Sequence, residues 1–285
     1  MFDEHQAILD PLMDFVAERG RLPRKDELEG ADAIRTKLGT IRRAFSIIRR
    51  VTGFDDWDRI SVERSEDLLV FIALAQFGQR AKFGQLPRAL QLDVRAFFYS
   101  YKRACALADT LLFSVGDPEN IERACNGSTV GKLTRTALYV HTSALQEMPS
   151  MLRLYEGCAH ALVGEVEGAN VVKLYRSKPE VSYLSYQDFD RDPHPSLRSA
   201  LLVNLQTLRV RYRDYSQSGN PPILHRKEEF VPPDYPVRKK FARLTRSEEQ
   251  KGLYDTGIAI GTRSGWNSAM SKLNLRLRGH RLLHG

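Results

Sequence analysis

The sequence predicts an α+β fold: a helical N-terminal half with a helix-turn-helix-like module, and a C-terminal half with a small antiparallel sheet plus helices. Two observations carry that prediction. Up to Gly164, apolar residues recur at the three- and four-residue spacing of amphipathic helices. Beyond it, short runs alternate apolar and polar residues around Pro, Gly and Ser turns, the period of strands. A third observation bounds the size. The 285 residues are 42% hydrophobic and 27% charged, enough for a buried core and for more than one domain.

The first helix is read from Ile8, Leu12, Phe15 and Val16 on one face, with Gly20 as its stop. The polar turn RLPRKDEL leads to a second, small helix. In ADAIRTKLGTIRRAFSIIRRVTG, Ile34, Leu38, Ile41, Phe45 and Ile48 form an apolar stripe, and Gly39 sits where a tight turn splits the run in two. Residues 62–115 read as two long helices, EDLLVFIALAQFGQRA and RALQLDVRAFFYSYKRACALADTLLF, separated by FGQLP. Their aromatics Phe71, Phe77, Phe97, Phe98, Tyr101 and Phe113 fall at helical spacing, which predicts a bundle core rather than a base-stacking platform. DPENIERACNG predicts a short helix with Asp117 as N-cap, Pro118 in its first position and Gly127 as stop. MLRLYEGCAHALVG predicts one more, ending at Gly164.

VVKLYRSKPEVSYLSYQDF then predicts a β-hairpin around Ser177–Lys178–Pro179. LLVNLQ and LRVRYRDY predict further strands, with a phase slip near Thr207 that reads as a bulge. RKKFARLTRSEEQKGL predicts a basic helix, and the chain ends with one short helix and a basic tail. No internal repeat is visible. The domain reading is 1–60 for the helix-turn-helix-like module, 61–164 for a helical bundle and 165–285 for the α+β domain.

Formal charge is +8 and the pI about 9.4. The excess is concentrated at both ends: residues 19–50 hold ten Lys/Arg against four Asp/Glu, and residues 257–285 hold five and no acid. Such clustering favours a polyanionic partner. No apolar run approaches the roughly eighteen residues of a membrane span, and the first ten residues lack the pattern of a secretory signal. The three cysteines form no CxxC pair, so a zinc knuckle and a dithiol motif are excluded, and a cytoplasmic setting is expected. No Walker A run is present. No glycine-rich turn of the kind that holds S-adenosylmethionine follows a strand, so no cofactor is expected in this chain.

Asp188, Asp190, Asp192 and His194 in DFDRDPHP look like a metal set and are the candidate catalytic residues of a metal-dependent DNA hydrolase. An EF-hand is excluded, because Pro193 stands where the loop needs Gly and Ser199 where it needs Glu. Prolines on both sides of His194 favour a rigid turn after a strand, with the carboxylates capping turn N–H groups, His194 packed on a neighbour and no metal. The candidate DNA contacts are Arg35, Arg42, Arg43, Arg49 and Arg50 on the basic helix, with Arg211, Arg213, His225, Arg226 and Lys227 as a second set. A solvated helix or sheet face is the alternative for each. A scaffold for protein interaction is the third functional reading.

Gly20, Pro23, Glu27, Leu28, Ile34, Leu38, Gly39, Thr40, Ile41 and Ala44 resemble the helix-turn-helix repeat found beside homing endonucleases. An aromatic frequent in that repeat is replaced by Ile41. In the C-terminal half, LRLYEGCAHALVGEVEGANVVKL, SYLSYQDFDRDPHPSL, LRVRYRDYSQSGNPPILHRKEEFV and DYPVRKKFARLTRSEEQKGL, and in the N-terminal half GRLPRKDEL, IRRAFSIIRRVTG and DVRAFFYSYKRACALADTLLFS, resemble the region downstream of the catalytic domain in methyltransferases associated with bacterial DNA phosphorothioation, so that the resemblance covers most of the chain. That resemblance implies a DNA-binding, target-recognition region of a bacterial defence system akin to restriction–modification. It implies DNA as partner, together with a separate methyltransferase or other defence subunit that supplies the missing S-adenosylmethionine domain. This chain is then expected to be a fragment or a split partner of a catalytic chain.

Overall fold

The structure is a computed structural model and describes residues 2–24 and 26–284. The fold is α+β. The chain divides into two compact units, Met1–Leu112 and Phe113–Gly285.

The first unit is helical: α1 (Gln6–Arg19), α2 (Ala31–Leu38), α3 (Ile41–Thr52), α4 (Asp55–Leu74), α5 (Arg88–Phe98) and α6 (Tyr101–Ser114). Gly20 ends α1 at φ +66°, a conformation that favours glycine, and its N–H reaches back to the carbonyl of Val16. Leu9, Leu12 and Val16 from α1 pack with Ile34 and Leu38, Ala44 and Ile48, and Trp57. Arg21 follows the cap and is buried. It gives Nε to Asp93 at 2.6 Å and grips both carboxylate oxygens of Glu27 at 2.7 Å. Glu27 also accepts from the N–H of Arg24 at 2.9 Å, so it holds the turn before α2.

The second long helix expected from the sequence is two helices. The chain breaks at Tyr99, which takes φ +65°, and the Ser100 hydroxyl accepts from the N–H of Arg103 to start α6. The aromatic core expected here is also only partly formed. Phe98 is buried, whereas Phe71, Phe77 and Phe113 are exposed, and α4 buries Leu68, Val70 and Ile72 in their place.

The second unit is built on a six-stranded antiparallel sheet: β1 (Lys132–Leu133), β2 (Ala137–His141), β3 (Val171–Tyr175), β4 (Glu180–Tyr186), β5 (Leu197–Asn204) and β6 (Arg209–Asp214), in that spatial order. Helices α7 (Pro118–Gly127) and α8 (Ser150–Val163) cover one face. Asp117 caps α7 and Gly164 ends α8, as the sequence predicts. The other face carries Val171, Leu184, Tyr186 and Leu197 against Leu224, Phe230 and Phe241 of the later chain. Helices α9 (Arg238–Gln250) and α10 (Arg263–Lys272) and a two-stranded hairpin, β7 (Leu275–Arg278) and β8 (Arg281–His284), complete the unit.

Residues 132–141, expected within a helical bundle, thus form two strands, and β2 pairs with β3 over five residues. This pairing makes α7 and α8 part of the sheet layer rather than of a separate bundle. The phase slip near Thr207 is not a bulge. It is the turn between β5 and β6, where the Asn204 carboxamide oxygen accepts from the N–H groups of Gln206 and Thr207. The register shift lies at Ser185/Tyr186 instead. The basic tail is a β-hairpin.

Tyr155 ties α8 to the sheet. Its side chain is fully buried and its hydroxyl lies 2.7 Å from the carbonyl oxygen of Lys178 and 2.9 Å from that of Glu180, in the β3–β4 turn. Burial pushes its pKa far above the ordinary phenol value.

Candidate nucleic-acid interface

Helices α2 and α3 are joined by Gly39 and Thr40 alone. Gly39 takes φ +86°, which only glycine adopts freely, and the Thr40 hydroxyl accepts from the N–H of Arg43 to cap α3. The apolar side of α3 turns Ala44 and Ile48 into the core, with Phe45 edge-on to Trp57 at 5.3 Å. The opposite side presents Arg42, Arg43, Ser46 and Arg50 to solvent.

The five arginines singled out in this region divide into two groups. Arg49 bonds Asp58 at 2.6 Å and covers the Phe54 ring, so it fastens α3 to the start of α4. Arg35 pairs with Asp32 one turn away on α2, at 2.9 Å. Arg42, Arg43 and Arg50 have no carboxylate partner among the described residues. Arg43 and Arg50 lie seven residues apart on one line of the helix, and Arg42 flanks them on the same exposed side.

In the second unit, β6 is an edge strand and every one of its residues is exposed. Arg209, Arg211 and Arg213 share one face and Val210, Tyr212 and Asp214 the other. Arg213 reaches the hydroxyl of Tyr215 at 3.2 Å. Charged side chains on an edge also block pairing with another chain, so β6 has a sufficient structural reason for its arginines.

Of His225, Arg226 and Lys227, expected at a nucleic-acid surface, His225 and Lys227 are turned inward and Arg226 is half-buried. His225 Nε2 meets the carbonyl oxygen of Ile260 at 2.7 Å, and its ring packs on Trp266 and His194. Burial, with His194 close by, lowers its pKa to about 4. Arg226 lies over the Tyr254 ring and bonds Glu249. Lys227 is buried between the rings of Phe189 and Phe241. Internal partners receive His225 and Lys227, while Arg226 is half-buried and spends part of its guanidinium on Glu249.

The acidic loop is the reason for Lys227. The chain turns at Asp188, φ +54°, whose carbonyl accepts from the N–H groups of Arg191 and Asp192. The Lys227 ammonium donates to the carbonyl oxygens of Phe189 and Asp192, both at 2.5 Å. The Lys227 amino group therefore fills the hollow of this loop. The Asp192 carboxylate caps the N–H of His194 at 2.9 Å and stands 3.5 Å from Arg263, and Asp190 accepts from the Tyr235 hydroxyl. His194 points away from the three carboxylates into the core. Its Nε2 meets Glu248 at 2.8 Å, Nδ1 lies 3.2 Å from the carbonyl oxygen of Leu224, and Trp266 stacks at 4.2 Å. Tyr254 donates to the second oxygen of Glu248 at 2.7 Å. Burial raises the Glu248 carboxyl, but the hydrogen bonds from His194 and Tyr254 outweigh it and leave the pKa below the ordinary value.

Asp188, Asp190, Asp192 and His194 do not converge on one point, and among the described residues no group of three or more His, Cys, Asp or Glu side chains is placed to hold a metal. Glu248, Tyr254 and Trp266 were not foreseen as partners of His194. They lie more than fifty positions away, and no local spacing connects them. Among the described residues no helix is long and apolar enough to cross a membrane. Comparison with known proteins gives no match to any family model, curated protein or solved structure.

Proposed function

We propose that the chain is a nucleic-acid-binding protein that docks α3 of its helix-turn-helix into the major groove of DNA. The observation that carries this reading is the stripe of Arg42, Arg43 and Arg50, exposed on one side of α3 and without carboxylate partners among the described residues. Guanidinium groups so placed pair with phosphates or with guanine edges. The two-residue turn and the packed apolar side fix α3 against α1 and α2, so the stripe is held on a rigid element. Arg211 and Arg213 add positive charge on a second exposed surface. The resemblance to proteins of phosphorothioation-linked defence supports the finer reading. The chain recognises the target for a separate methyltransferase or other defence-system subunit, and that subunit holds S-adenosylmethionine.

Fluorescence anisotropy with a short labelled duplex, measured over a series of salt concentrations, tests the reading. The parent chain is expected to bind at low salt with a steep salt dependence. Replacing Arg42 and Arg43 together by Gln is expected to reduce the log–log slope by about two units if each neutralises one phosphate. A slope that stays the same in a folded double variant overturns the assignment of α3.

A further inference from the structure

An open groove of about 530 Å³ lies between α9 and the β7–β8 hairpin in the second unit. That volume falls within the range of small-ligand sites, ~300–1,000 Å³. Lys240, Arg243 and Ser247 line it from one side of α9, and Arg278, His280 and Arg281 line it from the hairpin. The opposite side of α9 is apolar and packed, with Phe241 and Leu244 buried, so the cationic side has a fixed direction. No carboxylate among the described residues lines the groove. Among the described residues, Arg243, Arg278 and Arg281 make no ion pair, and Lys240 reaches only the carbonyl oxygen of Asp190 at 3.5 Å.

Two details go beyond a generally basic surface. The first is the pairing within the hairpin. Arg278 and Arg281 are direct cross-strand partners, flanking a two-residue turn in which Gly279 takes φ +55°. Like charges placed opposite one another across a strand pair are destabilising. No acid in the groove relieves this pair, whereas an anion between the two guanidinium groups would. The second is His280. Its ring stacks on Phe241 at 5.8 Å and 25°, and its Nε2 is buried without a hydrogen-bond partner. An unpaired polar atom in such a position costs free energy, which makes this ring sensitive to changes at the groove wall. Burial, reinforced by Lys227 and Lys240, lowers the pKa of this ring to about 4, so at neutral pH it is uncharged beside the fixed positive charges.

We propose that this groove is a phosphate-binding site that takes closely spaced phosphate groups, with Arg243, Arg278 and Arg281 as charge partners and the His280 ring as part of its wall. Guanidinium forks match phosphate oxygens in bidentate fashion, and four cations around one opening exceed the need of a single monoanion. The shared chemistry has two sources, the backbone of a nucleic-acid strand and a free polyphosphate. The groove belongs to the second unit alone, so the proposal does not rest on the reading of α3.

Histidine-selective NMR of the full chain, following the His280 ring at neutral pH and low salt, provides the test. The probes are inorganic pyrophosphate in one titration and a short duplex DNA in the other. A saturable shift with pyrophosphate assigns the free-anion source; a shift with DNA alone assigns the backbone source. The double variant Arg278→Gln/Arg281→Gln is expected to weaken the responding titration at least tenfold. Arg243→Gln lies on the helix, leaves the hairpin untouched and is expected to weaken it severalfold, so the proposal remains open to failure if the hairpin variant misfolds. No saturable His280 shift with either probe overturns the proposal, as does undiminished affinity in folded Arg243→Gln. Replacing Arg42 and Arg43 by Gln is expected to leave any pyrophosphate response unchanged, which separates failure of this site from failure of α3.

Discussion

The ammonium group of Lys227 donates to the carbonyl oxygen of Asp192 at 2.5 Å, inside a loop whose sequence resembles a metal site. The loop is organised by an amino group that the chain itself supplies, thirty-five positions downstream. Of its carboxylates, Asp192 caps the His194 N–H and pairs with Arg263, and Asp190 receives Tyr235.

Replacing Lys227 by Met keeps the apolar stem but leaves the carbonyl oxygens of Phe189 and Asp192 unpaired in the interior. A loss of about 2–4 kcal/mol is expected from two such acceptors, read as a lower urea midpoint. The parent chain also carries a pH signature. Burial lowers the Lys227 pKa from 10.5 to about 7, so between those values the unfolded chain holds a proton that the folded chain has released. Stability is therefore expected to rise as pH increases from about 7. The rise ends near 10, where unfolded tyrosines ionise while buried Tyr155 and Tyr183 keep their protons. Lys227→Met is expected to remove the rise in urea titrations at pH 7 and 9.

Glu248 has no exposed surface and joins His194 to Tyr254. Truncation to Ala removes one side of a buried pair, for which the expected cost is about 3 kcal/mol. Glu248→Gln retains an acceptor for one of the two donors and is expected to cost less. A double-mutant cycle on His194 and Glu248 that gives no coupling would show that the 2.8 Å contact carries no energy.

Acid is expected to unfold the second unit through its histidines. Burial lowers His141 and His225 from the ordinary 6.5 to about 4. Between those values the unfolded chain binds protons that the folded chain refuses. The stability that these rings contribute is fully present above 6.5 and is lost as pH falls towards 4. Thermal melts at pH 7 and pH 5 are expected to show a lower Tm in acid, and His225→Phe is expected to reduce the difference.

Asp192→Ala removes the cap on the His194 N–H and is expected to cost about 1 kcal/mol, as for a single lost hydrogen bond. Asp190→Ala loses only the exposed contact with Tyr235 and is expected to cost less. Both are expected to lower Tm while leaving any DNA binding intact. Nicking of DNA by the parent chain in magnesium or manganese, abolished by either substitution in a folded protein, would instead restore the hydrolase reading.

Local signals were the legible ones. Gly20, Gly39, Asp117 and Gly164 act through their own backbone angles or through N–H groups one turn away, so the helix ends could be read directly. Ser100 carried an equally local cap signal within the expected long helix, and the density of aromatics around it hid the break. Residues 132–141 were not legible as strands because their main partner, β3, is separated from them by α8. The surface position of Arg42, Arg43 and Arg50 follows from helical periodicity alone. The inward turn of His225 and Lys227 does not, since it depends on Ile260 and Phe189 in other segments. The groove between α9 and the terminal hairpin was present in the sequence only as two separate excesses of positive charge.

The order of the six strands in space is their order along the chain. This has a kinetic consequence. Each of the pairings from β3 to β6 joins neighbours through a short turn or loop, so little chain entropy is lost as each new strand is added. Zipping from the β3–β4 turn outward gives the fastest route to this sheet, and the β2–β3 pairing, which must wait for closure across α8, is the late step. Changes in the β3–β4 turn should then slow refolding, while changes in β2 should chiefly hasten unfolding.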